Sequence, residues 1–386
     1  MAGSTFGTIW KITTWGESHG KGIGVVIDGC PSGLPLTEED IQKYLDRRKP
    51  GQNRYTTQRN EGDKVELLSG TFEGRTTGTP IAMFVHNQDQ RSKDYGNIME
   101  MYRPGHADYT FDMKYGFRDY RGGGRSSGRE TIGRVAAGAV AAAFLKSLGI
   151  EVQAWTRSVG PVEVNPARFD LEERDKNGLY MPDAQAAEEA GAYLKELMAK
   201  KDSSGGVVEC EISGLPVGIG EPVFEKLSAN LAKAIMSIGA VKGFEIGDGF
   251  QAARACGSQN NDAFGIGEDG NIYKKTNHSG GVLGGMSDGS CLVFRAAFKP
   301  TSSIAAVQDT VTRDGKETKI EIKGRHDPII VPRAVVVVEA MAALTVADML
   351  LISMASRLDR IQTFFAYSSA LEEERREEYE RENSRT

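Results

Sequence analysis

Residues 121–138, RGGGRSSGRETIGRVAAG, form the stretch from which the rest of the sequence is interpreted. Three consecutive glycines precede two serines, and four arginines are spread through the segment. Glycines lack a Cβ, so their backbone N–H groups can turn toward a bound anion, and Ser127 with Glu130 has the spacing of a capping box. We therefore predict a helix that begins near Gly128 and whose N-terminus faces a phosphate or carboxylate.

Each part of this segment also has a simpler explanation. Three glycines often form a flexible loop, and Ser-x-x-Glu caps many helices that bind no ligand. Arg125 and Arg129, however, would lie one turn apart beside the helix start, where two guanidinium groups need an anion to neutralise them. Within the helix, Gly133, Ala137 and Ala141 recur every four residues. This spacing predicts a buried helix that another backbone approaches closely.

The composition of the 386 residues limits the class of protein. A formal charge of −6 argues against general affinity for nucleic acid or an anionic membrane, so the clustered arginines better fit a small anion. The four cysteines lie far apart without a CxxC pair, which favours reduced thiols over disulfides or a zinc site. The N-terminus has no signal or transit pattern, and Glu339 and Asp348 interrupt the apolar segment 334–355. We expect a cytoplasmic protein in which this segment is a core helix.

Apolar periodicity predicts a mixture of strands and helices. The predicted elements are strands at 8–14, 24–28 and 291–298, helices at 37–48, 183–200 and 332–360, and a hairpin at 309–322 around Asp314 and Gly315. Residues 89–120 show little regular periodicity. Long irregular stretches inside globular chains are often functional, so this region is a candidate site.

A weak internal repeat relates the two halves of the chain. The pattern Gly-Val-Val followed by Ser-Gly-Leu-Pro at 24–35 returns at 206–216, and each copy precedes an amphipathic helix, the second with Pro222 in its first turn. Chance similarity is the alternative. We expect one pseudo-duplicated domain, followed from residue 371 by a charged tail that is a solvated helix end or disorder.

The sequence contains only five histidines, and His19, His106 and His326 lie in turns beside glycine or proline and charged residues. A lone loop histidine is usually a surface residue. Imidazole titrates near neutral pH, however, so two of the three could protonate different groups within one site. A metal site is the alternative, because His106 with Asp108 and His326 with Asp327 offer nitrogen and oxygen ligands, although the spacing matches no known ligand motif.

Eight motifs in one fixed order together resemble the chorismate synthase family, over nearly the whole chain up to about residue 365. They are GESHG at 16–20, DRRKPG and RYTTQR within 46–59, SGTFEGRTTGTPI at 69–81, RPGHADYT at 103–110, YRGGGRSSGRET at 120–131, HSGGVLGGMSDG at 278–289, KPTSSI at 299–304, and GRHDP at 324–328. A lone glycine-rich loop would be a weak signal, whereas this set is highly specific.

The resemblance implies a lyase of the shikimate pathway that supplies aromatic amino acid biosynthesis. It eliminates phosphate from 5-enolpyruvylshikimate 3-phosphate by anti-1,4-elimination to give chorismate, and it requires reduced FMN without net redox change. This substrate carries two carboxylates and a phosphate, which explains the clustering of arginines in an acidic protein. NADPH is needed only if the protein reduces its own flavin. No extra reductase segment is visible, so we expect a separate flavin reductase as partner.

The same resemblance implies an α+β fold in which central helices lie between two antiparallel sheets. The catalytic domain would cover residues 1–370, the charged tail 371–386, and the protein would assemble as a homotetramer. Histidines matching His19 and His106 serve as acids, and Asp327 would assist deprotonation through the flavin N5 region. The residues that match the substrate or NADP site are Arg48, Arg54, Ser18 and Arg129. The flavin-contacting set is Arg125, Ser126, Ser127, Gly239, Ala240, Gly284, Lys299, Pro300, Thr301, Ser302, Ser303 and Arg325.

Two positions depart from the family pattern. Gly239 stands where many relatives carry asparagine or proline, and Gly128 stands where alanine is common. A backbone contact at Gly239 could survive the loss of the side chain. Two other functions compete with the lyase: a metal-dependent phosphohydrolase that uses the paired histidines and aspartates, and a non-catalytic anion-binding protein.

Overall fold

The structure is a computed structural model that describes residues 3–52, 55–56, 61–88, 98–322 and 327–383. Within these ranges the strands are β1 Thr5–Phe6, β2 Lys11–Gly16, β3 Gly22–Asp28, β4 Val65–Leu67, β5 Thr71–Phe72, β6 Arg75–Thr76, β7 Ile81–His86, β8 Glu151–Val159, β9 Val162–Glu163, β10 Gly206–Ser213, β11 Val241–Ile246, β12 Phe264–Ile266, β13 Ile272–Lys274, β14 Val282–Leu283, β15 Met286–Ser287, β16 Leu292–Phe298, β17 Gln308–Val311 and β18 Glu317–Ile320. The α-helices are α1 Glu38–Arg48, α2 Asp108–Tyr115, α3 Thr131–Ser147, α4 Leu171–Arg174, α5 Ala184–Ala199, α6 Leu227–Met236, α7 Gly257–Asn260, α8 Val331–Ser353 and α9 Leu358–Asn383. The predicted α+β class is confirmed.

Two antiparallel five-stranded sheets organise the strands. The first has the order β1-β2-β3-β7-β4, and the second has the order β11-β16-β10-β8-β9. Buried residues alternate with half-buried ones along β16, as expected for a strand with one face on the core. The two copies of the internal repeat supply β3 and β10, which are the central strands of their sheets.

Helices α3 and α8 pack against each other, and each contacts strands of a sheet. Helix α3 contacts β3 and α8, and α8 contacts β8 and β10. The two helices approach so closely that a Cβ built on Gly138 would lie 2.3 Å from the Cβ of Ala340. The close contact with α8 is therefore made at Gly138, whereas a Cβ on Gly133, one of the predicted small residues, would lie 3.4 Å from the backbone carbonyl oxygen of Gly24.

Helix α8 is a core element, and it carries two buried carboxylates that contact neighbouring elements. The helix is long and apolar enough to cross a membrane, but 83% of its most apolar window is buried inside the protein. Glu339 accepts two hydrogen bonds from the Arg47 guanidinium, at 2.6 and 2.9 Å. Asp348 accepts from three consecutive backbone N–H groups, those of Thr8, Ile9 and Trp10, at 2.7–2.9 Å. Both carboxylates thus tie α8 to neighbouring elements.

The predicted starts of two helices are correct. Thr37 caps α1 through a capping box with Asp40, and Asp183 caps α5 by accepting from the N–H groups of Gln185 and Ala186. The capping box at Ser127 was wrong. Ser127 instead caps a 3₁₀ turn over Gly128–Glu130, Glu130 pairs with Arg134, and α3 begins only at Thr131.

Three further expectations need correction. The helix predicted over 332–360 is two helices, because α8 ends at Ser353 and α9 begins at Leu358. The second repeat copy leads into α6 at Leu227, so Pro222 does not lie in its first turn. The stretch 89–120 is not wholly irregular, since residues 108–115 form α2, although 89–97 lie outside the described residues.

Candidate active site

One large cavity lies where the glycine-rich loop, α1, α8 and the loop after β16 meet. Its volume is about 1330 Å³, which exceeds the roughly 300–1,000 Å³ of a pocket for one small ligand. Among the residues that the structure describes, the lining includes nine basic residues and two with carboxylates. The basic residues are Arg48, Arg103, Lys114, Arg125, Arg129, Arg134, Lys242, Lys299 and Arg333, and the carboxylates belong to Glu130 and Asp327. In a chain of net charge −6, this concentration of cations marks an anion site.

The triple glycine passes directly against both predicted acid histidines. Gly122 has a φ of +64°, and a Cβ built there would lie 2.2 Å from Cε1 of His19. Gly123 has a φ of +85°, and its Cβ would lie 3.1 Å from Cε1 of His106. The glycines thus serve two purposes, a left-handed backbone and close approach to imidazole rings.

His19 lies in the turn between β2 and β3, where it is buried, and its Nδ1 is 3.2 Å from the Ser18 hydroxyl. Asn87 fixes this turn, because its side-chain amide donates to the carbonyls of Glu17 and Gly20, each at 2.9 Å. The Asn87 side-chain oxygen in turn accepts from Nε of Arg129. The turn that carries His19 is therefore connected to an arginine of the cavity wall.

His106 lines the cavity and is held from behind by a buried ion-pair cluster. Its Nδ1 lies 3.0 Å from both Oδ1 of Asp108 and Nη2 of Arg103. Arg103 also donates to both oxygens of Asp108 at 2.8 Å. Burial lowers the pKa of His106 below the ordinary value, while the hydrogen bond to Asp108 opposes this shift. Because Nδ1 faces Arg103 and Asp108, Nε2 is the nitrogen left for chemistry in the cavity.

The loop after β16 packs against the turn that carries His106. Lys299 donates from Nζ to the carbonyl of Gly105, and its backbone N–H donates to the Ala240 carbonyl at 3.0 Å. Arg125 crosses to the first sheet, where Nη2 lies 2.7 Å from the Thr14 hydroxyl. Hydroxyl groups of the two loops, at Ser126 and Ser302 among others, line the space between them.

Arg48 and Arg129 form another part of the cavity wall, and Asp63 bridges them. Oδ2 of Asp63 lies 2.7 Å from Nη2 of Arg48, and Oδ1 lies 2.9 Å from Nη1 of Arg129. Burial alone would raise the pKa of Asp63, but the two guanidinium groups hold it below the ordinary value. Burial lowers the pKa of Arg48 to about 10.

Asp327 lines the cavity close to this wall. Its Oδ2 accepts from Nη1 of Arg333 at 2.7 Å, and Nε of Arg333 donates to the carbonyl of Arg48 at 3.0 Å. Arg333 therefore sets the position of the predicted base relative to the end of α1.

The structure brings most of the predicted site residues to this cavity. The predicted residues that line it are Arg48, His106, Arg125, Ser126, Ser127, Arg129, Gly239, Ala240, Lys299, Pro300, Thr301, Ser302, Ser303 and Asp327. Ser18 and His19 lie directly behind Gly122. Gly284 lies in the β14–β15 hairpin, away from the cavity lining. Arg54, Arg325 and His326 lie outside the described residues.

Sequence reasoning missed several residues of the site. Arg103 stands in the RPGHADYT motif three residues before His106, so the motif itself was the available signal. Asp63 carries no local signal, because its partners Arg48 and Arg129 lie 15 and 66 residues away, and the contact of Arg333 with Arg48 spans 285 residues. The alternative of a metal site needed Asp108 as a ligand. This carboxylate instead contacts Arg103, Arg118 and His106.

A family model described as chorismate synthase matches residues 10–351. The chain belongs to the chorismate synthase family. Chorismate synthase of Agathobacter rectalis is 67% identical over 365 residues, which cover 95% of this chain and 99% of the relative. Chorismate synthase of Cytophaga hutchinsonii is 51% identical, and the aligned residues cover 92% of this chain and 99% of the relative. A crystal structure of chorismate synthase matches with a TM-score of 0.72 and 33% identity, covering 94% of this chain and 98% of that one.

Family membership decides the class of reaction. The chain is an enzyme, a carbon–oxygen lyase that converts 5-enolpyruvylshikimate 3-phosphate to chorismate and phosphate. The metal-dependent phosphohydrolase and the non-catalytic binding protein are thereby set aside, because the chorismate synthase reaction is an elimination.

Proposed function

We propose that this cavity is where the chain binds 5-enolpyruvylshikimate 3-phosphate together with reduced FMN. The observation that carries the proposal is the excess of nine basic residues over two carboxylates in the described part of the cavity lining. A substrate with two carboxylates and a phosphate gains charge-assisted hydrogen bonds from such a wall. Arginine forks suit these planar and tetrahedral anions better than single ammonium groups do.

The residues present fit a flavin beside the substrate. The volume of about 1330 Å³ exceeds what one small ligand needs, so two ligands can share the cavity. Ser126 and Ser302 offer hydroxyl groups to a phosphate-bearing cofactor, and Lys299 offers a cation. A Cβ built on Gly239 meets nothing within 4 Å, so there is space for a side chain at this position. Because glycine has no side chain, a cofactor contact there would be made by the backbone.

The roles of the titratable residues follow from their positions. Ser126, Lys299 and Ser302 would hold the reduced flavin, which when bound would supply electron density for the elimination. His106 presents Nε2 to the cavity and acts as one acid, and His19 acts as the second from behind Gly122. Asp327, held by Arg333, assists removal of the ring hydrogen. Lysine and arginine side chains offset the charge that develops on the departing phosphate.

The remaining assignments rest on the family resemblance. Ser18, Arg54, Gly284 and Arg325 are proposed as ligand contacts on that basis alone. We extend the proposal to a β-α-β sandwich over a catalytic domain 1–370 with a charged tail 371–386, a homotetramer in the cytoplasm, and a separate flavin reductase as partner. NADPH serves only if an intrinsic reductase activity exists, which incubation of the purified protein with FMN and NADPH under air would decide.

The decisive experiment is phosphate release under anaerobic conditions. We expect release from 5-enolpyruvylshikimate 3-phosphate when reduced FMN is supplied, and none with oxidised FMN. A chelator should leave the rate unchanged. Release that ignores flavin and stops with chelator would instead support metal-dependent hydrolysis and would overturn the proposal.

A further inference from the structure

Asp63 lies behind the cavity wall and contacts two of the arginines that form it. Its side chain has no exposed surface, and the side chains of Arg48 and Arg129 are only 2% and 4% exposed. Both arginines line the cavity, whereas Asp63 lies outside the lining. An anion that enters the cavity therefore meets the guanidinium groups from the side opposite Asp63.

Contacts with neutral groups also fix the orientation of both arginines. Nη1 of Arg48 lies 3.2 Å from the Gly128 carbonyl and 3.3 Å from the Thr131 hydroxyl. Nε of Arg129 donates to the side-chain oxygen of Asn87. Replacing Asp63 by asparagine would remove a charge and one of the two acceptor oxygens, while these contacts with neutral groups would continue to hold both arginines.

A second carboxylate belongs to the same cluster. Oε2 of Glu61 lies 3.6 Å from Nη2 of Arg129 and accepts the backbone N–H of Gln88 at 3.0 Å. Among these four residues two positive charges face two negative ones, all in buried positions. Buried cations without partners are costly, so the carboxylates keep the arginines in place when no ligand is bound.

We propose that Asp63 is the internal counter-anion of the cavity, which neutralises Arg48 and Arg129 between turnovers and so lowers the affinity of the cavity for anions. This inference rests on the proposed function, because it names the residue that tunes affinity at the same site. An enzyme that expels phosphate must let anionic products leave. Two buried, unneutralised guanidinium groups would hold these products tightly, whereas a carboxylate on their far side repels an anion in the cavity.

The test compares Asp63→Asn with the wild type by calorimetry, using inorganic phosphate and, separately, 5-enolpyruvylshikimate 3-phosphate with oxidised FMN so that no turnover occurs. Removing a carboxylate several ångströms from the ligand in a medium of intermediate dielectric should tighten both dissociation constants about tenfold. Asp63→Glu retains the charge and should bind nearly as the wild type does. Glu61→Gln should shift affinity in the same direction by a smaller factor, and it decides the case if Asp63→Asn does not fold.

Asp348→Asn is the matched control, because it also removes a buried carboxylate but one that lies outside the cavity lining. It should lower the melting temperature and leave both dissociation constants unchanged. Phosphate affinity that is unaltered or weaker in Asp63→Asn, or in Glu61→Gln if only that variant folds, overturns the role of Asp63. If the wild type binds phosphate but not the substrate, the proposed function fails, and the phosphate measurements still decide the role of Asp63.

Discussion

Gly122 lies directly against His19, so that a Cβ at this glycine would sit 2.2 Å from Cε1 and 2.4 Å from Nδ1 of the imidazole. The next glycine, Gly123, lies against His106 in a similar way. The glycine-rich loop therefore passes both histidines, and its small residues decide whether the rings can occupy their positions.

We predict that Gly122→Ala disrupts the site. Its φ of +64° is unfavourable for alanine, and the methyl group would displace His19, so we expect activity to fall by at least about a hundredfold. Anaerobic phosphate release measures this. Gly128→Ala is the matched control within the same segment, because a Cβ there meets nothing within 4 Å. Equal activity of the two variants would contradict the placement of His19.

His106→Ala should lose most turnover, by a factor of about 10² to 10⁴, because it removes a general acid. Binding of FMN should persist, since Arg125, Lys299 and the hydroxyl groups of the cavity remain. Stopped-flow phosphate release and flavin fluorescence separate the two effects. Wild-type turnover in this variant would remove His106 from the mechanism.

Asp108→Asn should shift the pH dependence of the reaction. The hydrogen bond that His106 donates to Asp108 raises the pKa of His106, against the larger effect of burial, so its removal lowers that pKa further. An acid must be protonated, and the basic limb of kcat/KM should therefore move to lower pH when rates are measured between about pH 5 and 9. Asp46→Asn, an exposed change on α1, should leave the limb in place. If the basic limb does not move, the pKa that it reports does not belong to His106.

Glu339→Gln should destabilise the protein by about 3–5 kcal/mol, because it leaves Arg47 without its buried counter-charge. The carboxylate also accepts the backbone N–H of Ala154 at 2.9 Å, which joins α8 to the second sheet. Denaturant unfolding gives the free energy, and Glu188→Gln on the exposed face of α5 serves as the control. A change below about 1 kcal/mol would show that this ion pair does not hold α8 in place.

Local chemistry in the sequence was sufficient for the helices with strong caps. Thr37 and Asp183 mark the starts of α1 and α5 because their side chains bond N–H groups only two or three residues away. The break between α8 and α9 carries no proline or glycine in residues 354–357, so periodicity alone extended the helix. Helix α2 was missed because four of its eight residues are polar or charged and its apolar residues do not form one clear face.

The site residues that lie within the family motifs could be predicted from the sequence. Contacts between residues that are far apart in the sequence could not. The motifs identified His106, Arg125 and Lys299, all of which line the cavity. Other contacts of the cavity wall join residues that are far apart in the sequence. Asp63 lies 66 residues before Arg129, and the contact of Arg333 with Arg48 spans 285 residues. Such pairs arise from packing of the whole fold, so no local pattern reveals them.

A crystal structure with oxidised FMN and 5-enolpyruvylshikimate 3-phosphate tests the central claim most directly. We predict that both ligands occupy the single cavity between the glycine-rich loop and the loop after β16, with the flavin ring against the substrate ring. His106 and Asp327 should face them, and His19 should lie at their edge. Ligands bound in separate cavities, or a substrate away from Arg48 and Arg129, would contradict the account.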